Sequence, residues 1–446
     1  MTALNLNRIR FSNNADVVNQ NRAIYNPRFA YVNTLNGDDR IIGTSSISAD
    51  FGLGVYVELE TGKSKGRSLE VPNAKAAIST YGIKNEGVIH TNDGNDVVRG
   101  RAIANIGVLA ETVSQAIAIA EKRDATAIAS AFASLNVNAN VNGIDNSWGG
   151  IYTGKGDDSV SGDTEGSISA VAIATVDATS IVEVICKTPA SDTLTAFAQA
   201  VATSLATGSI TATGIRNTSG TIFTGKGDDT LSASATTSTA GLSATYSSAF
   251  ANATSDNQAL ALAVAQASTE VNDKAIAIDN TRGWIATGRG DDIIEATAKA
   301  YQTAIAIDNN RGSIHTGLGN DKIIAKATGD NSYGIFGGTI DTGRGNDTLI
   351  ASSLGGGVQI NLGEGDDFLQ GFGQAIIDGG RGFDTISFDA YNIGNFEISF
   401  GIYNRQNSVI FQLDGISAIA TGFEQFNFAN GSYSYNDLIS HNRANT

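Results

Sequence analysis

The chain has 446 residues and a formal net charge of −16, which excludes a nucleic-acid binder resting on a basic surface and simple adsorption to an anionic membrane. It contains 51 Gly, 3 Pro and one cysteine, Cys186, so there is neither a disulfide framework nor a cysteine metal site. With 41% hydrophobic but only 7% aromatic residues, any core must be thin and built from small side chains.

In chain order, residues 1–31 are read as an N-terminal cap. They lack the apolar centre of a cleaved secretory signal, and no stretch of the chain approaches the ~20 apolar residues that cross a bilayer. The expectation is a protein that is cytoplasmic or exported without a cleaved N-terminal signal. Residues 32–270 are read as an Ala-rich β-solenoid with long coils, 271–388 as a tighter roll, and 389–446 as a C-terminal β cap.

From residue 32 onward an acidic turn recurs nine times. Representative copies are Thr153-Gly154-Lys155-Gly156-Asp157-Asp158 and Thr287-Gly288-Arg289-Gly290-Asp291-Asp292, and the fullest is Gly379-Gly380-Arg381-Gly382-Phe383-Asp384-Thr385-Ile386-Ser387. The last acidic residues are Asp39, Asp96, Asp158, Asp229, Asp292, Asp321, Asp347, Asp367 and Asp384, separated by 57, 62, 71, 63, 29, 26, 20 and 17 residues on subtraction. Recurrence at coil-length intervals signals a solenoid, each repeat burying its apolar face against its neighbours. The early gaps are about twice the 29-residue one, so each is expected to hold two coils, one of them without an acidic turn.

A second corner precedes the acidic one: Asp145-Asn146-Ser147-Trp148-Gly149, Arg216-Asn217-Thr218-Ser219-Gly220, Asp279-Asn280-Thr281-Arg282-Gly283 and Asp308-Asn309-Asn310-Arg311-Gly312. There Asn and the Gly after it are expected to supply left-handed backbone angles. Between the corners an Ile-x-Thr strand repeats, from Ile89/Thr91 through Ile151/Thr153, Ile222/Thr224, Ile285/Thr287 and Ile314/Thr316 to Ile340/Thr342. Alternation predicts an Ile ladder and a Thr ladder on one face. After each acidic turn the second residue is apolar: Ile41, Val98, Val160, Leu231, Ile294, Ile323, Leu349, Leu369 and Ile386. In the Ala-rich tract 131–142, Leu135, Val137, Ala139 and Val141 share one face and Asn136, Asn138, Asn140 and Asn142 the other, a strand period. Ser191 to Ala206 differs, with Leu194, Phe197, Ala198, Val201 and Leu205 at helical spacing after a Ser191 cap, and a short helix is expected there. Ala110 to Lys122 and Gln258 to Glu270 fit helix or strand equally.

The turns carry the chemistry of a calcium site. Glycines such as Gly288, Gly290, Gly317, Gly319, Gly343, Gly345, Gly363, Gly365, Gly380 and Gly382 permit carbonyls to turn inward, and the closing Asp adds a carboxylate. One turn offers too few oxygens for Ca²⁺, which takes six to eight, so two stacked turns are expected to share each ion. Carboxylates at the strand spacing of about 4.8 Å repel by about 1 kcal/mol per pair in water, and a divalent ion reverses that sign and couples folding to metal.

These turns resemble the nonapeptide repeats of the RTX (repeats-in-toxin, haemolysin-type calcium-binding) family. Residues 379–387 match its Gly-Gly-x-Gly-x-Asp pattern fully. Other copies carry Thr34, Thr91, Thr153, Thr224, Thr287, Thr316, Thr342 or Leu362 at the first Gly, and Leu35 and Asn92 replace the second. The family usually has two acidic turns per coil, whereas this chain has one, a degenerate single-edge version that implies one row of ions and leaves the sites between Asp39, Asp96 and Asp158 the least complete. The aromatic segment Gly422-Phe423-Glu424-Gln425-Phe426-Asn427-Phe428, running on to Ile439, is similar to the cap of many such rolls. In the family that region carries an uncleaved type I secretion signal. The resemblance thus implies an all-β parallel solenoid, Ca²⁺ as cofactor, and an extracellular or cell-surface location.

No catalytic constellation is read. His90, His315 and His441 lack partners at metal-ligand spacing, and neither His-Glu-x-x-His nor Gly-x-Ser-x-Gly occurs. Trp148 and Trp284 are expected to pack over the Asn-Gly corners. The reading is a non-enzymatic calcium-binding solenoid with a structural or adhesive role, with self-assembly or a cell-surface polysaccharide as partner. The alternatives are a polysaccharide lyase or epimerase using acidic pairs such as Asp157/Asp158 and Asp291/Asp292, and an ice- or lattice-binding face of Thr and Asn.

Overall fold

The computed structural model describes residues 3–61, 65–121, 124–182, 195–253 and 258–445. Among these the strands collect into two sheets, of 12 and 21 strands, parallel throughout the stack and antiparallel only in the C-terminal hairpins. The chain is a parallel β-solenoid in which equivalent residues of successive coils lie one above another. Ile89, Ile151, Ile222, Ile285, Ile314 and Ile340 pair in register and are buried, as are the Thr residues of the same strands. The apolar residues after each turn, from Ile41 to Ile386, are fully enclosed. Alternation at a period of two is sufficient to select these positions.

The coils come in two sizes. In the first four, strands Arg40–Thr61, Val97–Ala120, Ser159–Val182 and Thr230–Ala253 run away from the acidic turns in the 12-stranded sheet. The chain returns through Asn73–Asn85, Ala125–Asp145, Thr195–Arg216 and Gln258–Asp279 in the other sheet. Ser159–Val182 pairs along its full length with Val97–Ala120 on one side and Thr230–Ala253 on the other. Each early gap therefore holds one long coil. The expectation of two is corrected: the extra residues extend the coil sideways into a two-sheet wing and add no layer. From Ile293 the arms shrink to Ile293–Lys299 and Thr303–Asp308, and a narrow rod continues alone.

The wing is filled almost entirely by alanine: Ala116, Ala118 and Ala120 face Ala125–Ala133 and Ala196–Ala202, with Val176 among them. Ser204 and Ser180 donate across the interior to the carbonyls of Ala110 and Ala196, at 2.6 and 2.8 Å. A serine hydroxyl reaching the main chain of the facing sheet means that the layers lie closer than the usual ~10 Å. Between wing and rod the sheets touch at a glycine waist. A Cβ on Gly43 would lie 2.3 Å from the Gly82 carbonyl oxygen, one on Gly100 2.1 Å from that of Gly143, and one on Gly162 2.2 Å from that of Gly214. Close backbone approach is the reason for glycine at this waist.

Three local readings are revised. Thr195–Arg216 is a strand paired on both sides, so the helix expected over Ser191 to Ala206 is absent from 195 onward; residues 191–194 lie outside the described residues. Phe197, Val201 and Leu205 are four apart, which also puts them on one face of a strand, and the inward face is the alternating Ala196, Ala198, Ala200 and Ala202. Both ambiguous stretches are strands, through Ala120 in the first, and Lys122 lies outside the described residues. At the Asn-Gly corners the positive φ falls on Trp148, Ser219, Arg282 and Arg311, and neither on Asn nor on Gly149, Gly220, Gly283 and Gly312, where it was expected. Trp148 is 77% exposed and does not pack over its corner, while Trp284 stacks on Phe223 at 6.2 Å.

At the C-terminus, hairpins and a helix, Tyr435–Asn445, close the last coil over a cluster of Phe388, Phe396, Phe411 and Phe428.

Candidate metal centre

The acidic turns form one continuous edge of the rod with two parallel side-chain rows. The inner row is the nine aspartates singled out by sequence, every one buried. Asp39 N–H donates to Asp96 Oδ1 at 2.7 Å, and the same bond repeats from Asp96 to Asp158, Asp229, Asp292, Asp321, Asp347, Asp367 and Asp384, always at 2.7–2.9 Å. Consecutive turns are thus direct neighbours along the whole stack, including Asp39, Asp96 and Asp158. No intervening coil separates the early ones.

The outer row is Asp38, Asn95, Asp157, Asp228, Asp291, Asn320, Asn346 and Asp366. Each accepts the amide of the following coil, at 2.7–3.0 Å. The inner row accepts from the preceding coil and the outer row from the following one, so each turn is clamped in both directions.

Each inner aspartate spends Oδ1 on its neighbour's amide, and its Oδ2 is buried with no donor; this is true at all nine positions. The Thr hydroxyl of the same coil lies beside the carboxyl for Asp39 to Asp347. Its single proton goes elsewhere: Thr34, Thr91, Thr153, Thr224, Thr287 and Thr316 donate to the carbonyl of the next Thr at 2.9–3.2 Å. An ionised carboxylate so placed is poorly solvated and beside others of like charge. Burial, the largest cause, raises the carboxyls of Asp96, Asp229, Asp347 and Asp384 to about 6 and those of Asp158, Asp292 and Asp367 to about 7. Asp39 and Asp321 shift upward for the same reason.

The glycines are required twice over. Gly288, Gly290, Gly317, Gly319, Gly343, Gly345, Gly363, Gly365, Gly380 and Gly382 have φ between 102° and 148°. A Cβ on Gly290 would also lie 1.9 Å from the Gly227 carbonyl oxygen of the preceding coil. Their neighbours' carbonyls are engaged: those of Lys155, Lys226, Arg289, Leu318 and Arg344 each accept a glycine amide from the preceding coil, at 2.7–2.9 Å.

In kind, then, the row fits a hard cation, presenting unpaired buried carboxylate oxygens. In number it falls short of the six to eight oxygens of Ca²⁺, because each gap between coils offers the open Oδ2 of two aspartates. Among the described residues no three His, Cys, Asp or Glu side chains converge on one point.

Two features escaped the sequence reading. Glu424 Oε2 takes the Asp384 amide at 2.8 Å and directly precedes the in-register pair Thr385–Gln425, a tenth carboxylate that ends the row; Thr421-Gly422-Phe423-Glu424 was its signal, a shortened copy of the turn. On the opposite corner, Asn26, Asn85, Asn146, Asn217, Asn280 and Asn309 form a buried amide ladder, each Nδ2 donating to the next Oδ1 at 2.6–2.8 Å. Comparison of the chain with protein-family models and with curated proteins gives no match.

Proposed function

We propose that the chain is a non-enzymatic structural solenoid, exported and acting as a surface or matrix scaffold whose buried aspartate row is charge-compensated when the rod forms. The observation that carries this reading is the nine-fold repetition of one polar arrangement, with Oδ2 left open at every copy. A catalytic acid–base pair would be singular, whereas Asp157/Asp158 and Asp291/Asp292 divide alike between the outer and inner rows. Calcium is the ion the RTX resemblance implies. The open Oδ2 of Asp39, Asp96, Asp158, Asp229, Asp292, Asp321, Asp347, Asp367 and Asp384 would give it two protein ligands per gap, the rest of its shell falling to water, and it would supply the positive charge that nine stacked carboxylates need.

The raised carboxyl groups favour a second carrier, the proton. A proton on Oδ2 has an acceptor in place, because the Thr oxygen beside it has free lone pairs. Calorimetric titration with CaCl₂ at pH 7.5 separates the two. Heat of binding and a rise in melting temperature, about 2.7 kcal/mol per site at a hundred-fold excess over Kd, support calcium. No heat and an unchanged melt assign the row to protons. Appearance of unsaturated uronates on incubation with acidic polysaccharide would overturn the non-enzymatic reading.

A further inference from the structure

The wing stops abruptly, and its last coil leaves two long strands with one edge unpaired. Thr230–Ala253 pairs with the next coil only through Thr230–Thr236, and Gln258–Asp279 only through Lys274–Asp279. The step between them is built. Asp273 accepts the amides of Tyr301 and Gln302 at 2.9 and 2.8 Å, and Gln302 Nε2 donates to the Val271 carbonyl at 3.0 Å, so the short coil is locked on at this point. Beyond it, residues 240–253 and 258–272 present open main-chain edges in both sheets, with Leu242, Tyr246, Phe250 and Leu260 each more than half exposed.

The two ends of the wing are protected differently. The N-terminal edge carries Asp50, Glu58 and Glu60 in one sheet, and Lys65, Arg67, Glu70, Pro72 and Lys75 in the other, the charges and proline that discourage strand addition. The C-terminal edge has no proline over 237–253 or 258–272 and a single charged residue, Glu270.

We propose that this C-terminal wing edge pairs with the same edge of a second copy of the chain, antiparallel, about a two-fold axis normal to the sheets. Three observations select this occupant. The edge carries one charge, Glu270, near its inner end, so an antiparallel identical partner does not set it against its own copy. Head-to-tail stacking would set it against the charged edge and force the partner's body into the space of this copy's rod. The antiparallel arrangement instead places each rod beside the tip of the other wing. Each open edge is about 45 Å long at ~3.3 Å per residue. With two layers of side chains it covers about 900 Å² per partner, the size of a standard stable interface. An isologous pairing also consumes the edge and closes the assembly at two.

Sedimentation velocity of the full chain tests this. The expected species has twice the 46.1 kDa chain mass. The double variant Tyr246→Lys, Leu262→Lys, which sets like charges near the axis, is expected to be monomeric with an unchanged circular dichroism spectrum. Tyr56→Lys, Leu69→Lys on the opposite edge should leave the dimer intact and controls for general effects of added charge. A monomeric parent at all concentrations overturns the proposal, as does a dimer that survives the first pair. Open-ended assembly abolished by the second pair would replace it with head-to-tail stacking.

Discussion

Rod and wing are made from the same coils yet are held together by opposite means. In the rod, bulky Ile and Leu ladders fill the interior and polar ladders of Asp, Thr and Asn run along its corners. In the wing, alanine zips two sheets together with few polar contacts between them. The rod commits many buried polar groups, so its stability depends on charge state. The wing encloses chiefly uncharged hydroxyls, such as Thr112, Ser114, Ser180 and Ser204, and its stability depends on shape at the waist and on close packing of small groups.

The largest effect that would sharpen this contrast is that of pH without divalent ions. The inner aspartates are raised in the folded state above the ordinary carboxyl value of 3.8, so the folded rod binds more protons than the unfolded chain. Their contribution is fully present below about pH 4 and is lost as pH rises through about 6–7, each carboxyl giving up about 1.4 kcal/mol per pH unit between its unfolded and folded values. Hydrogen exchange should show rod amides losing protection between pH 5 and 8 while wing amides, corrected for intrinsic rate, keep theirs. Equal loss in both would break the comparison.

Next in size is the waist. Gly143→Val drives a branched side chain into main chain, since even a Cβ there would lie 2.6 Å from the Gly214 carbonyl, and should cost about 3–5 kcal/mol. Limited proteolysis is expected to cut the wing first and leave a protected rod fragment.

Within the row, Asp292→Ala leaves the Asp229 amide buried without an acceptor and should cost about 2–3 kcal/mol in denaturant unfolding. Asp292→Asn keeps that acceptor and removes the charge, so at pH 8 without calcium it is expected to be neutral or stabilising by about 1 kcal/mol. Smallest is the exposed Arg99–Asp163 pair at 2.9 Å on the outside of the sheet; Arg99→Ala should change stability by less than about 1 kcal/mol.

The rod was largely legible in the sequence because each of its coils repeats the same turn, and the alternation of Ile and Thr fixes which residues point inward. The nine aspartates were legible as a row for the same reason. Their inward direction was not, because Gly-x-Gly-Asp-Asp does not say which carboxylate is enclosed; that is settled by the stacking of coils. The wing was misread because alanine has no strong local preference and a spacing of four residues satisfies both a helix and one face of a strand. Phe197, Val201 and Leu205 show this directly. The Asn ladder was seen as turn chemistry, whereas the residue before each glycine takes the strained angle and frees Asn to point inward.

The step at Asp273 has a consequence for how the chain threads. Because most coils carry the same Asp, Thr and Ile, a rod of such coils can slip by one layer at little energetic cost. Unequal arms forbid that slip here: a shift of one coil would lay the short strand Ile293–Lys299 where the 24-residue Thr230–Ala253 belongs and strand most of a long arm without a partner. The wing thus serves as a key for the stack, letting a monotonous ladder count its own layers.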